Sequence, residues 1–215
     1  MHMLQGMTAA DASIQLPLRE RKKQATREAL RRAATDLVRD RGLHGVTVED
    51  IAAAADVAPR TFFNYFPTKE DAIVGWDPAA LVAMADLLRA RPGTESAPVA
   101  LRIAILEAIA PSDADPTAVL ERLRVIRSDR DLVAHYALRW GETERVLASV
   151  IAERRGTDPD SDPYGHLVAA TTLAACRTAL LAWCASGGAR PIGDVLAGHL
   201  DVVAAGLCEP EGGLR

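Results

Sequence analysis

Aromatic residues make up only 4% of this 215-residue chain, and cysteine is scarcer still, with three residues. The cysteines, Cys176, Cys184 and Cys208, are odd in number and lack the CxxC spacing typical of structural zinc and redox sites. We therefore expect free thiols in a reducing compartment, with no disulfide framework and no metal site.

Long apolar runs are also missing. No run reaches the roughly 18–20 residues that a membrane-spanning helix needs, and the first 18 residues lack the basic start and apolar stretch of a signal peptide. These absences predict a cytoplasmic protein that does not enter a membrane.

Sequence motifs that carry catalysis are absent as well. The chain has no phosphate-binding glycine loop, no HExxH and no GxSxG. Alternating strand patterns are rare, whereas alanine, leucine and arginine are abundant, which favours helix. We expect an all-α protein that is not an enzyme and holds no cofactor.

Charge is unevenly distributed along the chain, although its net value is only −4. Residues 1–70 carry 11 basic and 9 acidic side chains, and residues 71–215 carry 14 and 20. The segment 19–32, RERKKQATREALRR, has seven basic residues against two acidic ones. An otherwise acidic protein can approach a polyanion through such a patch. A solvated helix face explains the same charges equally well.

Local signals divide the first third of the chain into short helices. Apolar residues recur at helical spacing in 24–42, and Gly42 is a typical C-cap. Thr47 and Asp50 have the spacing of a capping box, and Asp56 follows where the chain must turn. Pro59 suits the first position of another helix, which we expect to run to Phe66. Thr68 then caps a fourth helix.

Four of the rare rings lie in one block, APRTFFNYFPTK (58–69), framed by two prolines. Phe62 and Phe66 are four residues apart, so they share one helix face and are expected in the core. Phe63 and Tyr65 point elsewhere. Three short helices with this spacing form a helix-turn-helix module, whose rings outside the core are available for contacts.

The rest of the chain reads as alanine-rich helices without a chemistry-defining motif. Polar and aromatic side chains inside such a bundle are what a binding pocket for a hydrophobic molecule requires. Ordinary helix packing is the competing explanation. The predicted ligand-binding residues are His135, Tyr136, Arg139, Trp140, Arg177 and Trp183.

The last two helices are predicted to form a homodimer interface, because their faces are mostly small or apolar. One face carries residues 173, 176, 180 and 184, and the other carries Ile192, Leu196, His199 and Val203. Burial in the core of the same chain is an equally good explanation of both faces.

The segment GVTVEDIAAAADVAPRTFFNYFPTKEDAI resembles the DNA-binding region of the TetR family of bacterial transcriptional regulators. The resemblance covers Arg19 to about Val74. The block RTFFNYFP, with the later RARPG and RLRVIRSD, is similar to an actinobacterial subgroup that includes the mycofactocin-associated regulator. The chain departs from the family pattern at Asp56, where glycine is usual, and at Ala58, where serine or threonine is common.

The resemblance implies that the helix beginning at Pro59 reads the DNA major groove. Arg60, Thr61 and Asn64 would face base edges, since arginine can pair with guanine and asparagine with adenine. Backbone contacts would come from Phe63 and Tyr65. The full predicted set of DNA-binding residues is Thr47, Pro59, Arg60, Thr61, Phe63, Asn64, Tyr65, Lys69, Lys22 and Lys23.

The sequence thus predicts a disordered tail at 1–18, a helix-turn-helix domain at 19–68 and a helical effector-binding and dimerisation domain at 69–215. Its predicted function is a ligand-responsive repressor that binds a palindromic double-stranded DNA operator as a homodimer. A small hydrophobic effector would release it, and the subgroup resemblance implies an acyl-CoA or another hydrophobic acid. The alternative is a helical protein that binds small molecules or partners without reading DNA sequence.

Overall fold

The computed structural model describes residues 18–109 and 115–206, except the side chain of Glu20. These two ranges contain ten α-helices and no strand, which confirms the all-α prediction. Almost all of the predicted tail at 1–18, and Cys208, lie outside the described residues. Leu18 is the first residue of the first helix.

The N-terminal region contains four α-helices and one 3-10 turn. They are α1 (Leu18–Arg41), the 3-10 turn (Leu43–Gly45), α2 (Val48–Ala54), α3 (Pro59–Phe62) and α4 (Lys69–Val74). Helix α1 begins before residue 24, so the basic segment 19–32 is helical. Helix α3 ends at Phe62 rather than Phe66. Beyond it the chain forms turns in which the N–H groups of Tyr65 and Phe66 both donate to the Phe62 carbonyl, at 2.9 and 3.0 Å.

The predicted start and turn signals of this region are present. Thr47 Oγ1 accepts from the Asp50 N–H at 3.1 Å, and the Asp50 carboxylate accepts from the Thr47 N–H at 2.9 Å, which completes the capping box. Asp56 adopts a left-handed conformation with φ 54°, which aspartate tolerates better than most side chains. Thr68 caps α4 by accepting from the Asp71 N–H.

Six helices of 13 to 26 residues form the remainder. They are α5 (Pro78–Ala90), α6 (Ala97–Ile109), α7 (Pro116–Ser128), α8 (Arg130–Arg155), α9 (Tyr164–Ala185) and α10 (Ile192–Ala204). Helix α9 packs against both α8 and α10. At its start Gly165 lies so close to α8 that an added Cβ would stand 2.7 Å from the Ala148 carbonyl oxygen.

The hydrophobic core continues across the boundary that the sequence predicts at 68/69. One cluster of buried side chains includes Leu30 and Phe62 of the N-terminal helices together with Leu132 and Trp183 of the C-terminal ones. A second cluster joins α5, α6, α8, α9 and α10. Helix α4 contacts α1, α7 and α8, so it connects the two regions mechanically.

Helix α9 corrects the expectation that no segment is long and apolar enough to cross a membrane. Among the helices in the described ranges, α9 alone is long and apolar enough to cross a membrane by length and composition. Its mean hydropathy is 1.5 over an 18-residue window. Only 33% of that window is buried within the protomer. Apolar helices of this kind also serve as packing elements inside globular proteins, and α9 has α8 and α10 as neighbours.

Candidate nucleic-acid interface and its link to the C-terminal helices

The short helix α3 is anchored by two fully buried rings. Phe62 and Phe66 have no exposed side-chain surface, and their ring centroids are 5.8 Å apart. This confirms the prediction that both are core residues. The same anchoring turns Arg60, Phe63 and Asn64 outward, and Phe63 remains 59% exposed although its ring contacts Phe62 edge-on.

Most predicted DNA-binding side chains are accessible from solvent. The exposed ones are Thr47, Pro59, Arg60, Phe63, Asn64, Lys22 and Lys23. Thr61, Tyr65 and Lys69 are partly buried. The accessible residues of α3 and of the turn after it carry one cation, one amide and one ring, which are the groups needed to pair with base edges and to lie against a sugar-phosphate backbone.

Two of the partly buried residues have partners within the chain. The Arg27 guanidinium lies 5.7 Å from the centre of the Tyr65 ring and also pairs with Asp77 at 2.9 Å. The Lys69 ammonium donates to the carbonyl oxygens of Leu43 and Val46, both at 2.8 Å. Lys69 therefore holds the turn between α1 and α2, and these bonds compete with the phosphate contact predicted for it.

The principal polar contact between the two regions is centred on Asp71, a buried carboxylate on α4. Its Oδ1 accepts from Arg139 Nε at 2.7 Å and lies 2.7 Å from His135 Nε2, both on α8. Its Oδ2 accepts from Thr68 Oγ1 at 2.8 Å and from Arg139 Nη2 at 3.1 Å. One buried carboxylate thus connects the helix that follows the predicted DNA-reading segment to α8, the longest helix in the described ranges.

Electrostatics explain why this carboxylate is stable in the core. Burial raises the pKa of Asp71, but hydrogen bonds from Arg139, His135 and Thr68 outweigh burial and hold the pKa below its ordinary value. The Arg139 guanidinium also lies 4.1 Å from the centre of the Trp76 ring, a distance typical of a cation–π contact. Asp71 is ionised at neutral pH and is held by α8.

Asp71 was not among the residues predicted from the sequence. Its position three residues after Thr68 repeats the capping-box spacing, so a local signal for it existed. That signal predicts only the bond to Thr68. The bonds to His135 and Arg139 join residues more than 60 positions apart, and no local pattern encodes them.

The six predicted ligand-binding residues do not form one group. His135 and Arg139 bind Asp71, and Arg177 is exposed on α9. The Tyr136 and Trp140 rings meet edge to face, with centroids 5.7 Å apart. Trp183 is buried and donates from Nε1 to the Arg190 carbonyl at 2.9 Å. Tyr136 and Trp140 are the members of this set whose partly buried rings contact each other on α8.

The two faces predicted for dimerisation are largely internal, which corrects their assignment. Leu173, Cys184, Leu196 and His199 are all buried within the protomer, because α9 and α10 pack on each other and on their neighbours through these faces. The outward side of α9 is different. It carries small or apolar residues that are exposed or half-buried, namely Leu167, Ala170, Ala174, Thr178, Leu181 and Ala185.

Comparison with known proteins agrees with this architecture. Residues 30–72 match the family described as bacterial regulatory proteins of the tetR family. Residues 95–208, more than half of the chain, match the MftR C-terminal domain of the same family. The chain belongs to the TetR family. This confirms the family resemblance of the segment that contains α2 and α3.

Two curated relatives extend over most of this TetR-family chain. The transcriptional regulator TcmR of Streptomyces glaucescens is 33% identical over 172 residues, which is 77% of this chain and 76% of TcmR. MftR of Mycobacterium tuberculosis, named for transcriptional regulation of mycofactocin biosynthesis, is 28% identical over 187 residues, or 87% of this chain and 93% of MftR. The chain is therefore a transcriptional regulator rather than an enzyme.

Solved structures show the same fold at low sequence identity. A transcriptional regulator from Pseudomonas aeruginosa has a TM-score of 0.52 at 18% identity, covering 90% of this chain and 92% of that one. SmeT, solved with triclosan, has a TM-score of 0.52 at 16% identity, covering 85% and 91%. In the described ranges of this TetR-family protein, no group of three or more histidine, cysteine or acidic side chains is arranged to hold a metal ion.

Proposed function

We propose that this regulator is a cytoplasmic repressor that reads a palindromic operator through α3. The observation that supports this is the outward presentation of Arg60 and Asn64 by a segment whose Phe62 and Phe66 rings are fully buried. Arginine paired with guanine and asparagine paired with adenine each contribute about 1–3 kcal/mol of base discrimination. Lys22 and Lys23, exposed near the start of α1, would add sequence-independent attraction to phosphates.

The protein would bind DNA as a homodimer through the outward side of α9. Two-thirds of the most apolar window of that helix is not buried within the protomer, and α9 carries one formally charged side chain, Arg177. Small residues such as Ala170 and Ala174 allow close helix approach, and Leu167 supplies apolar area. A two-fold dimer presents two copies of α3 to half-sites about one DNA turn apart, ~34–36 Å or a multiple.

A small hydrophobic effector would weaken DNA binding by moving α8. The aromatic surface of Tyr136 and Trp140 lies on the same helix as His135 and Arg139, which hold Asp71. A ligand that shifts α8 therefore pulls on α4, and α4 follows the reading segment after only a short turn. Coupling between effector and operator sites is typically about 1–3 kcal/mol, or 5–150-fold in affinity.

The operator is identified by selection from random double-stranded DNA, followed by fluorescence anisotropy with the selected sequence across a salt series. We compare the wild-type protein with Arg60→Ala, Asn64→Ala and, as a matched control, Arg145→Ala, which removes an exposed arginine from α8. We expect a palindromic site, a steep salt dependence, and loss of specificity in the first two variants only.

The alternative, a helical protein without sequence-specific DNA binding, predicts a different result. Selection would then return no common sequence. Affinity would be the same for selected and random DNA, and the three variants would bind both equally. That outcome would contradict the proposed repressor, whichever effector the C-terminal helices bind.

A further inference from the structure

Two arginine side chains from different regions meet at the turn that ends α4. Gly75 closes α4 in a left-handed conformation with φ 75°. A Cβ placed there would stand 3.2 Å from Arg122 Nη1 and 3.4 Å from Arg31 Nε. Arg31 belongs to α1 and Arg122 to α7, so two guanidinium groups converge on one point at the junction of the two regions.

The charge of this pair is incompletely compensated. Arg31 Nη1 pairs with Glu28 at 2.8 Å, but its buried Nε finds no acceptor in the described part of the chain. Arg122 forms no hydrogen bond or ion pair at all with the residues in 18–109 and 115–206. Burial, followed by the charge of Arg31, lowers the pKa of Arg122 to about 10. Two cations therefore share one half-exposed carboxylate.

Within 18–109 and 115–206, Glu28 is the one anion whose charge acts on Arg122, and the other titratable groups that act on it supply no second anion. Tyr136 lies near Arg122, Arg127 and Arg177, and burial raises the pKa of its hydroxyl, so it is neutral at pH 7. Burial also raises the pKa of the Cys184 thiol, which lies near Arg122. The surroundings of Arg122 are thus electropositive and partly shielded from water, a setting in which an unpaired charge is costly.

We propose that Arg31 and Arg122 together bind a carboxylate or phosphate group, and that this group is the anionic end of the effector. The planar fork of arginine matches both anions through paired N–H donors. Tyr136 on α8 lies near Arg122, which connects the arginine pair to the aromatic surface of the proposed effector site. The effector would then be a hydrophobic molecule that ends in a carboxylate or a phosphate ester. This assignment of the effector class rests on the proposed function.

An anion at this point would also contact both regions at once. Arg31 is on the helix that packs against α2 and α4, and Arg122 is on α7, which packs against α1, α4 and α8. Binding would therefore fix α1 relative to α7 and bias the orientation of the DNA-reading segment. By linkage, the anion and the operator would change each other's affinity by the same factor.

Direct binding to the DNA-free full-length protein tests the site without reference to an operator. Isothermal titration uses laurate, dodecanol as its neutral counterpart, and inorganic phosphate at constant ionic strength. The variants are Arg31→Gln and Arg122→Gln, with Arg124→Gln as a control that removes an exposed arginine from the same helix. We expect laurate to bind wild type and the control alike, and to bind Arg31→Gln and Arg122→Gln at least tenfold more weakly.

Each outcome of this titration has a stated meaning. If laurate binds more tightly than dodecanol and depends on Arg122, the anion belongs to the effector. If phosphate binds in an Arg122-dependent way and laurate does not bind, the site takes a free inorganic anion, and the effector part of the proposal is wrong. The proposed anion site would be wrong if Arg122→Gln and Arg124→Gln bound laurate and phosphate with equal affinity. It would also be wrong if neither laurate nor phosphate bound the wild-type protein.

Thermal unfolding separates binding from a structural role. If Arg122 serves to bind an anion, Arg122→Gln should unfold at the same temperature as wild type or higher without added anion, because like-charge repulsion is removed. It should also lose the stabilisation that the anion gives wild type. A large destabilisation without anion would instead identify Arg122 as a structural residue. Operator binding by a variant that has lost laurate affinity would leave the repressor function intact.

Discussion

The N-terminal helices of this protein are specified mainly by local sequence signals, whereas the C-terminal helices depend on contacts between residues far apart in the chain. In residues 18–74 a 24-residue helix, α1, precedes three short helices, α2, α3 and α4, which begin at recognisable signals, and all three phenylalanines are concentrated in and just after α3. In residues 78–206 each helix has at least 13 residues, and alanine is frequent. The first region exposes its predicted DNA-binding side chains on helices whose ends are encoded locally. The second obtains its specific contacts from charged residues that the fold brings together.

Phe62→Ala is expected to have the largest effect on stability, because it removes a ring that packs between the two regions. The ring is fully buried in the cluster that joins them, and removing such a ring costs about 3–5 kcal/mol of unfolding free energy. Denaturant unfolding should show this loss, and operator affinity should fall with it. Phe63→Ala, which removes an exposed ring from the neighbouring position, should change stability by no more than about 0.5 kcal/mol. Equal losses in the two variants would contradict the assignment of Phe62 to the core.

Asp71→Asn tests whether the two regions are held together electrostatically. Removing one partner of a buried ion pair typically costs about 3 kcal/mol. The folded-state pKa of Asp71 is lowered, so its contribution is present above its ordinary pKa of 3.8 and is lost as the pH falls through the folded-state value. The free energy of unfolding, measured at pH 7 and at successively lower pH, should therefore differ between wild type and variant at neutral pH and converge in acid.

Asp86→Asn is the matched control for this prediction. Asp86 is an exposed aspartate on α5 that pairs with Arg89 at 3.0 Å, and exposed pairs of this kind contribute about 0–1 kcal/mol. A constant difference between wild type and Asp71→Asn from neutral pH into acid would show that packing, not charge, is what Asp71 provides.

Ala58→Ser should produce the smallest effect, and it should be a gain. Ala58 is the N-cap of α3 and forms no capping hydrogen bond. A serine hydroxyl there can accept from the α3 backbone and should add about 1 kcal/mol to the unfolding free energy. Thermal unfolding without DNA measures this directly. Ala53→Ser places the same hydroxyl at an exposed position inside α2, and it should not stabilise the protein. Stabilisation by both changes would show that capping is not the cause.

The helix-turn-helix region was largely predictable because its signals are local. Thr47 with Asp50, Asp56 in its left-handed turn, Pro59 and Thr68 each act within three or four residues. The prediction erred on the length of α3, since an aromatic block gives no signal for the change from helix to turns after Phe62. It also missed the bonds of Lys69 to the turn after α1.

The C-terminal contacts were less predictable because alanine-rich helices offer several similar faces. Periodicity identified apolar faces on α9 and α10 but did not distinguish burial within one chain from an interface between two chains. The burial of Leu173 and His199 decides this for the inward faces. His135 and Arg139 were correctly singled out as unusual polar residues inside a bundle. Their partner Asp71 lies on α4, whose sequence signals relate it to the predicted DNA-reading segment and not to the ligand-binding helices.

The sequence by itself determined the all-α class, the capped short helices and the division of the rings between core and surface, because 3.6-residue periodicity, caps and prolines act over a few residues. Only the tertiary structure decided which polar groups meet. The bonds of Asp71 to α8 and the convergence of Arg31 with Arg122 on Gly75 depend on helix packing, which brings together residues far apart in the chain.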